Sequence, residues 1–204
     1  MACCNDSSCH DQAPVRNGPY RRILILALAL NFLMFLVEIL AALHSGSLAL
    51  LAESIDFLGD AANYAVSLFV LNRSALARSR TAFAKGFVMT SWGILILLRT
   101  VPSLSSQAPP EAFTMTWVGI LALGVNVGVA LSLWKFREGD ANRRSVWLCS
   151  RNDAIGNLAI LIAAGLVAWT GRPWPDVLVA FLMSVLALSA GTAIMRQSSR
   201  ETRN

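Results

Sequence analysis

The sequence predicts an all-α integral membrane protein with six transmembrane helices and both termini in the cytoplasm. Three observations carry that prediction. Hydrophobic residues make up 55% of the 204 and charged residues only 14%, against roughly 25% charged in soluble domains. Six apolar runs have the length needed to cross a bilayer, which takes about 20 residues as a helix. The basic residues collect at alternate ends of those runs. None of the runs alternates polar and apolar residues as a barrel strand does, so helices are the spanning form.

The first run, about 23–43, follows Arg21 and Arg22 and so resembles a signal peptide at its start. It is too long for that hydrophobic region, contains Glu38, and leads at once into a second span, so it is expected to be retained. The second run, about 47–72, holds the acids considered below. The third, about 85–106, ends near a Pro- and Ser-rich stretch, 99–111, expected to be a plain exterior connection. The fourth, about 112–136, contains Asn126 and the pair Gly124 and Gly128, whose spacing permits close helix packing. The fifth and sixth cover about 147–170 and 174–195. Asp176 opens the sixth, where a negative charge favours the helix dipole, and capping is its expected role.

Charge placement gives the orientation. The segment before residue 23, the second-to-third and fourth-to-fifth connections and the segment after 195 together hold 14 Lys and Arg. The three alternate connections hold only Arg99 and Arg172, and Arg151 lies inside the fifth run. By the positive-inside rule the basic ends are cytoplasmic. The net charge of +5 then reflects topology and anionic lipid, and nucleic acid is excluded as a partner because no soluble domain is available to hold a groove. Three parts are expected: a cytoplasmic tail over 1–22, a six-helix transmembrane domain over 23–196 and a short cytoplasmic tail over 197–204. The two tails are too short to bury a core.

The second run, SLALLAESIDFLGDAANYAVSLFVLN, is apolar enough to span yet carries Glu53, Asp56, Asp60 and Asn63. Spacings of three, four and three residues place all four on one helical face. An ionised Asp at the centre of a span costs roughly 2.5–3.5 kcal/mol even on the lenient insertion scale. Since no Lys or Arg lies between His44 and Asn72, the expected neutralising cation comes from outside the chain. A second polar concentration opens the fifth run, where Cys149, Asp153 and Asn157 follow at i, i+4 intervals on one face. Two facing helices with such pairs can surround one ion with four donors, the tetrahedral requirement of zinc. A thiolate in the set shifts preference towards Zn²⁺ and Cd²⁺.

The candidate metal site is therefore Asp56, Asp60, Cys149 and Asp153, with Asn157 and Glu53 as further candidates. Each has a plainer alternative. Cys149 can be a small packed hydrophobe, Asn157 an interhelical hydrogen-bonding group, and Glu53 and Glu38 polar linings of the path. In the tail, Cys3, Cys4, Cys9 and His10 make up a soft-metal donor set able to capture ions as an accessory, or are incidental residues of a disordered segment. A disulfide is not expected on a reducing side.

The segment HSGSLALLAESIDFLGDAANY (44–64) resembles the second-helix signature of the cation diffusion facilitator family, and NLAILIAAGLVAWTG with RPWPDVLVAFLMSVLALSAG resembles that family's last two helices. The likeness extends over about 22–196 and includes Asn31 and Glu38 of the first helix. It implies a divalent metal exporter, Zn²⁺ first and Cd²⁺ second, that works as a proton antiporter by alternating access, with metal held by Asp56, Asp60 and Asp153. It also implies a homodimer, in a bacterial inner membrane. Two departures from the pattern stand out. Cys149 occupies the place usually held by His or Asp, so the site lacks a histidine, and the family's usual C-terminal cytoplasmic module is not expected here. Without histidine, the converging carboxylates are the expected proton carriers, titrating as a unit, with Cys149 as a second candidate. No bound cofactor is expected. A multi-span metal-dependent enzyme has the acids but not a nucleophile–base pairing or an HExxH motif, and a membrane sensor or scaffold leaves the acids unexplained.

Overall fold

Helix-forming sequence continues well past the apolar runs at several ends, and the helices follow it. The computed structural model describes residues 18–70, 75–105, 108–135 and 141–201, with side chains described except at 69, 70, 75–78, 105, 141–152 and 201. Six α-helices account for nearly all of them: α1 Gly18–Ser45, α2 Leu48–Ala65, α3 Ala75–Ser105, α4 Ala112–Trp134, α5 Ala141–Thr170 and α6 Trp174–Glu201, with a π-helical segment Val66–Val70 closing α2. Among the described residues there is no strand.

The helix extents correct the expected ones in three places. α3 starts ten residues before residue 85, because Ala, Arg and Ser carry no helix breaker and charge alone does not stop a helix. It also runs through Pro102 to Ser105, so the first half of the expected 99–111 connection is helical. α5 begins at Ala141, which places Arg143 and Arg144 on the helix. Where the chain does turn, its cause is visible. Gly46 (φ 72°) and Gly171 (φ 62°) take the left-handed conformation that ends α1 and α5, their N–H groups bonding Ala42 O and Val167 O at 2.9 Å.

Five helices, α1 and α3 to α6, are long and apolar enough to cross a membrane. α2 carries Glu53, Asp56 and Asp60 within 18 residues, and it lies against α1, α3, α5 and α6. The surface is correspondingly apolar: Leu43 is 71% exposed, Leu98 70% and Trp169 84%, whereas Asn31, Glu38, Glu53, Asn126 and Asn157 are buried. Large hydrophobics outside and polar groups inside is the distribution that lipid, as solvent, selects.

Packing falls into pairs, α3 with α6, α4 with α5 and α1 with α2. The α3–α6 crossing is the closest. A Cβ placed on Gly86 would lie 2.7 Å from Gly191 O, and one on Gly191 would lie 2.8 Å from Gly86 O and nearer still to Thr90 Oγ1. In α4, among the described residues, nothing lies within 4 Å of a Cβ at Gly124 or Gly128, which leaves that face open.

Three sets of hydrogen bonds fix which ends lie together. Glu111 N bonds Ser45 O at 3.0 Å, joining the α1–α2 and α3–α4 turns. Asp176 on α6 bonds the start of α2, adding the α5–α6 turn to the same end. At the other end Ser79 Oγ donates to Ser198 O at 2.8 Å, tying the start of α3 to the end of α6. The helices therefore run up and down, and among the described residues Arg21, Arg22, Arg80, Lys85, Lys135, Arg196 and Arg200 fall towards the α3-start end.

Candidate functional site

The polar face of α2 is set by its entry. Ser47 is the N-cap, its Oγ accepting Leu50 N–H at 3.1 Å. Asp176, 1% exposed, adds a cap from another helix: its carboxylate accepts Ser47 Oγ–H at 2.5 Å, Leu48 N–H at 2.8 Å and Ala49 N–H at 3.1 Å. Capping was the expected role of Asp176, yet the helix it caps is α2, about 128 residues away in sequence, which no local pattern reveals. The clamp fixes the height of α2 against α6, and with it that of every acid on α2.

From that anchored end the acids follow at helical spacing. Glu53 is 1% exposed, while Asp56 and Asp60 are half-buried. Asp153 on α5 reaches the side chain of Asp60 at hydrogen-bonding range and lies within electrostatic reach of Asp56 and Glu53. Glu38 on α1, fully buried, is in like reach of Glu53 and Asp56. Carboxyl groups from α1, α2 and α5 thus share one region inside the bundle. Tyr64 Oη donates to Asp60 Oδ2 at 3.4 Å.

Several of these groups lack hydrogen-bond partners among the described residues. Both Glu38 oxygens, Glu53 Oε2, Asp153 Oδ2 and both polar atoms of the Asn157 side chain are buried without one. Leaving a polar group so costs roughly 1–3 kcal/mol, and more for a charged one. Oxygen donors without partners are what a hydrated or cation-bearing path provides. Among the described residues no three His, Cys, Asp or Glu side chains converge closely enough to hold a metal ion.

Of the remaining candidates, Cys149 lies on α5 one turn before Asp153, and its side chain is outside the described residues. Cys3, Cys4, Cys9 and His10 also lie outside them. Asn157 is fully buried one turn beyond Asp153. One participant was missed by reading the second run alone. Lys85, expected in a cytoplasmic connection, is on α3, and its Nζ donates to Asn63 Oδ1 on the polar face of α2. The chain does bring a cation to this face, from a helix about 22 residues away in sequence, where it meets the neutral Asn63. An ionisable residue near the start of a span was the available signal.

The profile of the cation efflux transmembrane domain matches residues 24–201. The chain belongs to the cation efflux family. Members it resembles include the zinc transporter ZitB of Escherichia coli strain K12, 25% identical over 211 residues, covering 96% of this chain and 66% of that protein. The cadmium, cobalt and zinc/H(+)-K(+) antiporter of Bacillus subtilis strain 168 is 24% identical over 200 residues, 89% of this chain and 63% of that one. The metal cation efflux system protein CzcD of Cupriavidus metallidurans is 23% identical over 193 residues, 89% and 61%. The chain therefore spans less than two thirds of the length of each of these relatives. The match takes in Glu38, Glu53, Asp56, Asp60, Asn63, Lys85, Asp153 and Asn157.

Proposed function

We propose that the chain exports divalent metal cations, Zn²⁺ first and Cd²⁺ second, in exchange for protons and by alternating access. The observation that carries this reading is the meeting of Asp153 from α5 with Asp60 of α2, with Asp56 and Glu53 in electrostatic reach, inside a bundle whose outer surface is apolar. The names of the relatives, zinc transporter and cadmium, cobalt and zinc antiporter, point the same way.

In this reading Asp56, Asp60 and Asp153 hold the transported ion, with Cys149 as the fourth donor and Asn157 or Glu53 as neighbours. A transport site has to release its ion, so its ligands need close around the cation only when it is present. A donor set of three carboxylates and one thiolate suits Zn²⁺ and Cd²⁺ better than Mg²⁺ or Ca²⁺, which take oxygen alone. Protons return on the same carboxylates once the metal has left, as like charges brought together favour protonation. The basic ends face the cytoplasm, Cys3, Cys4, Cys9 and His10 capture metal there, and the protein works as a homodimer in a bacterial inner membrane. Activity is transport and no bond of a substrate is broken.

The test is flux by the purified protein in liposomes carrying a trapped pH dye and a trapped zinc dye. Zinc entry coupled to proton exit, and abolished when the pH gradient is collapsed, is the expected result. Zinc flux indifferent to the pH gradient would remove the antiport, and absence of flux for every divalent metal would remove the transport reading.

A further inference from the structure

Lys85 is the one basic side chain among the described residues whose hydrogen bond to the polar face of α2 is resolved, with Nζ donating to Asn63 Oδ1. Asn63 follows Asp60 by three residues and Asp56 by seven, on the same helical face. The lysine stem lies over Gly59, where a Cβ would stand 3.9 Å from Lys85 Cε and 3.9 Å from Met89 Cε. The stem therefore lies in van der Waals range of that face of α2. Lysines near the end of a span usually turn their ammonium outward to the lipid headgroups. Lys85 is half-buried and directs its ammonium across to the neighbouring helix.

We propose that Lys85 is a tethered counter-cation of the acidic face, held on Asn63 about one helical turn from Asp60, whose charge an incoming divalent ion must displace in order to bind. The inference rests on the transport reading above. Asn63 serves as its latch: a neutral acceptor that keeps the ammonium beside the carboxylates without letting it close on them. The positive charge offsets the repulsion around Asp60 before the metal arrives. It also lowers affinity for the metal, which a transporter needs if the ion is to leave. Lys85 is thus a positioning and affinity-setting residue, and no ligand.

The experiment is zinc chloride uptake by the full chain in liposomes, comparing Lys85→Gln, Lys85→Arg and Asn63→Ala with the unaltered protein. Glutamine keeps a donor for Asn63 and removes the charge. Because a unit charge within one helical turn of a divalent ion acts strongly even at an effective dielectric near 20, KM for zinc in Lys85→Gln should fall by about tenfold. Its maximal rate should fall as release becomes slower. Lys85→Arg keeps the charge and should keep KM within about twofold. Asn63→Ala frees the ammonium to close on Asp60 and should raise KM; it carries the test alone should Lys85→Gln fail to insert. An unchanged KM in Lys85→Gln, equal effects of Gln and Arg, or a lowered KM in Asn63→Ala would overturn the proposal. Absence of zinc uptake by the unaltered protein would overturn the transport reading instead, and is distinguishable for that reason.

Discussion

Replacing Asp176 with alanine removes three hydrogen bonds at once, because one carboxylate serves Ser47 Oγ, Leu48 N and Ala49 N at 2.5, 2.8 and 3.1 Å. Hydrogen bonds to a charged group contribute about 1.5–3 kcal/mol each. They share one acceptor, so their effects are not additive, and the cost of burying the charge disappears with it. A net loss of about 3 kcal/mol is the expected outcome, since the buried amides of Leu48 and Ala49 are left without this acceptor. For a chain of this length that lowers the unfolding midpoint by about 10 °C. Asp176→Asn keeps one acceptor but turns an amide towards the other donor, for a loss of about 2 kcal/mol. Ser47→Ala forfeits one bond to Asp176 and its own cap on Leu50, about 1 kcal/mol. Thermal unfolding in detergent, followed by circular dichroism, should rank the three as Ala, then Asn, then Ser47→Ala. Because the clamp sets the height of α2, zinc transport should fall in the same order. A midpoint for Asp176→Ala within 2 °C of the unaltered protein would refute this account, as would a larger loss from Ser47→Ala.

Three further outcomes are expected. Gly191→Ala should destabilise by about 2 kcal/mol or more through overpacking against Gly86 and Thr90, whereas Gly128→Ala, with open space around it, should change the midpoint by less than about 2 °C; the same melting assay compares them. Cys149→Ser should weaken Cd²⁺ uptake more than Mn²⁺ uptake, since a soft donor gives way to a hard one, and Cys149→His should keep zinc flux while moving its pH dependence towards neutrality; uptake of each metal over a pH series reads both. Deleting residues 1–12 should leave the maximal rate intact and at most raise KM at low metal, because that segment precedes α1.

The fold was legible where the bilayer leaves little choice. Apolar runs of about 20 residues have one economical conformation in lipid, and acids inside such a run demand partners, so Glu53, Asp56 and Asp60 stood out, with Asp153 as the group to meet them. Helix ends were less legible. α3 passes Pro102 and begins at Ala75 because nothing in ALARSR breaks a helix, and hydropathy marks the edge of the membrane rather than the edge of the helix. Least legible were contacts set by packing between distant segments. Nothing local assigns Asp176 to the start of α2 or Lys85 to Asn63. Gly86 and Gly191 form the close crossing because α3 and α6 meet there, whereas Gly124 and Gly128, with the more suggestive spacing, have no neighbour within 4 Å of a Cβ among the described residues.

The central claim is that the carboxylates of α2 and α5 together hold the transported ion. Zinc uptake by Asp60→Asn and Asp153→Asn in liposomes, each checked for insertion and for an unfolding midpoint near that of the unaltered protein, tests it most directly. Asparagine keeps the shape and removes one of the charges that offset ion dehydration. Both variants should therefore lose uptake to the level of protein-free liposomes while remaining folded. Uptake at the unaltered rate in either variant would contradict the account.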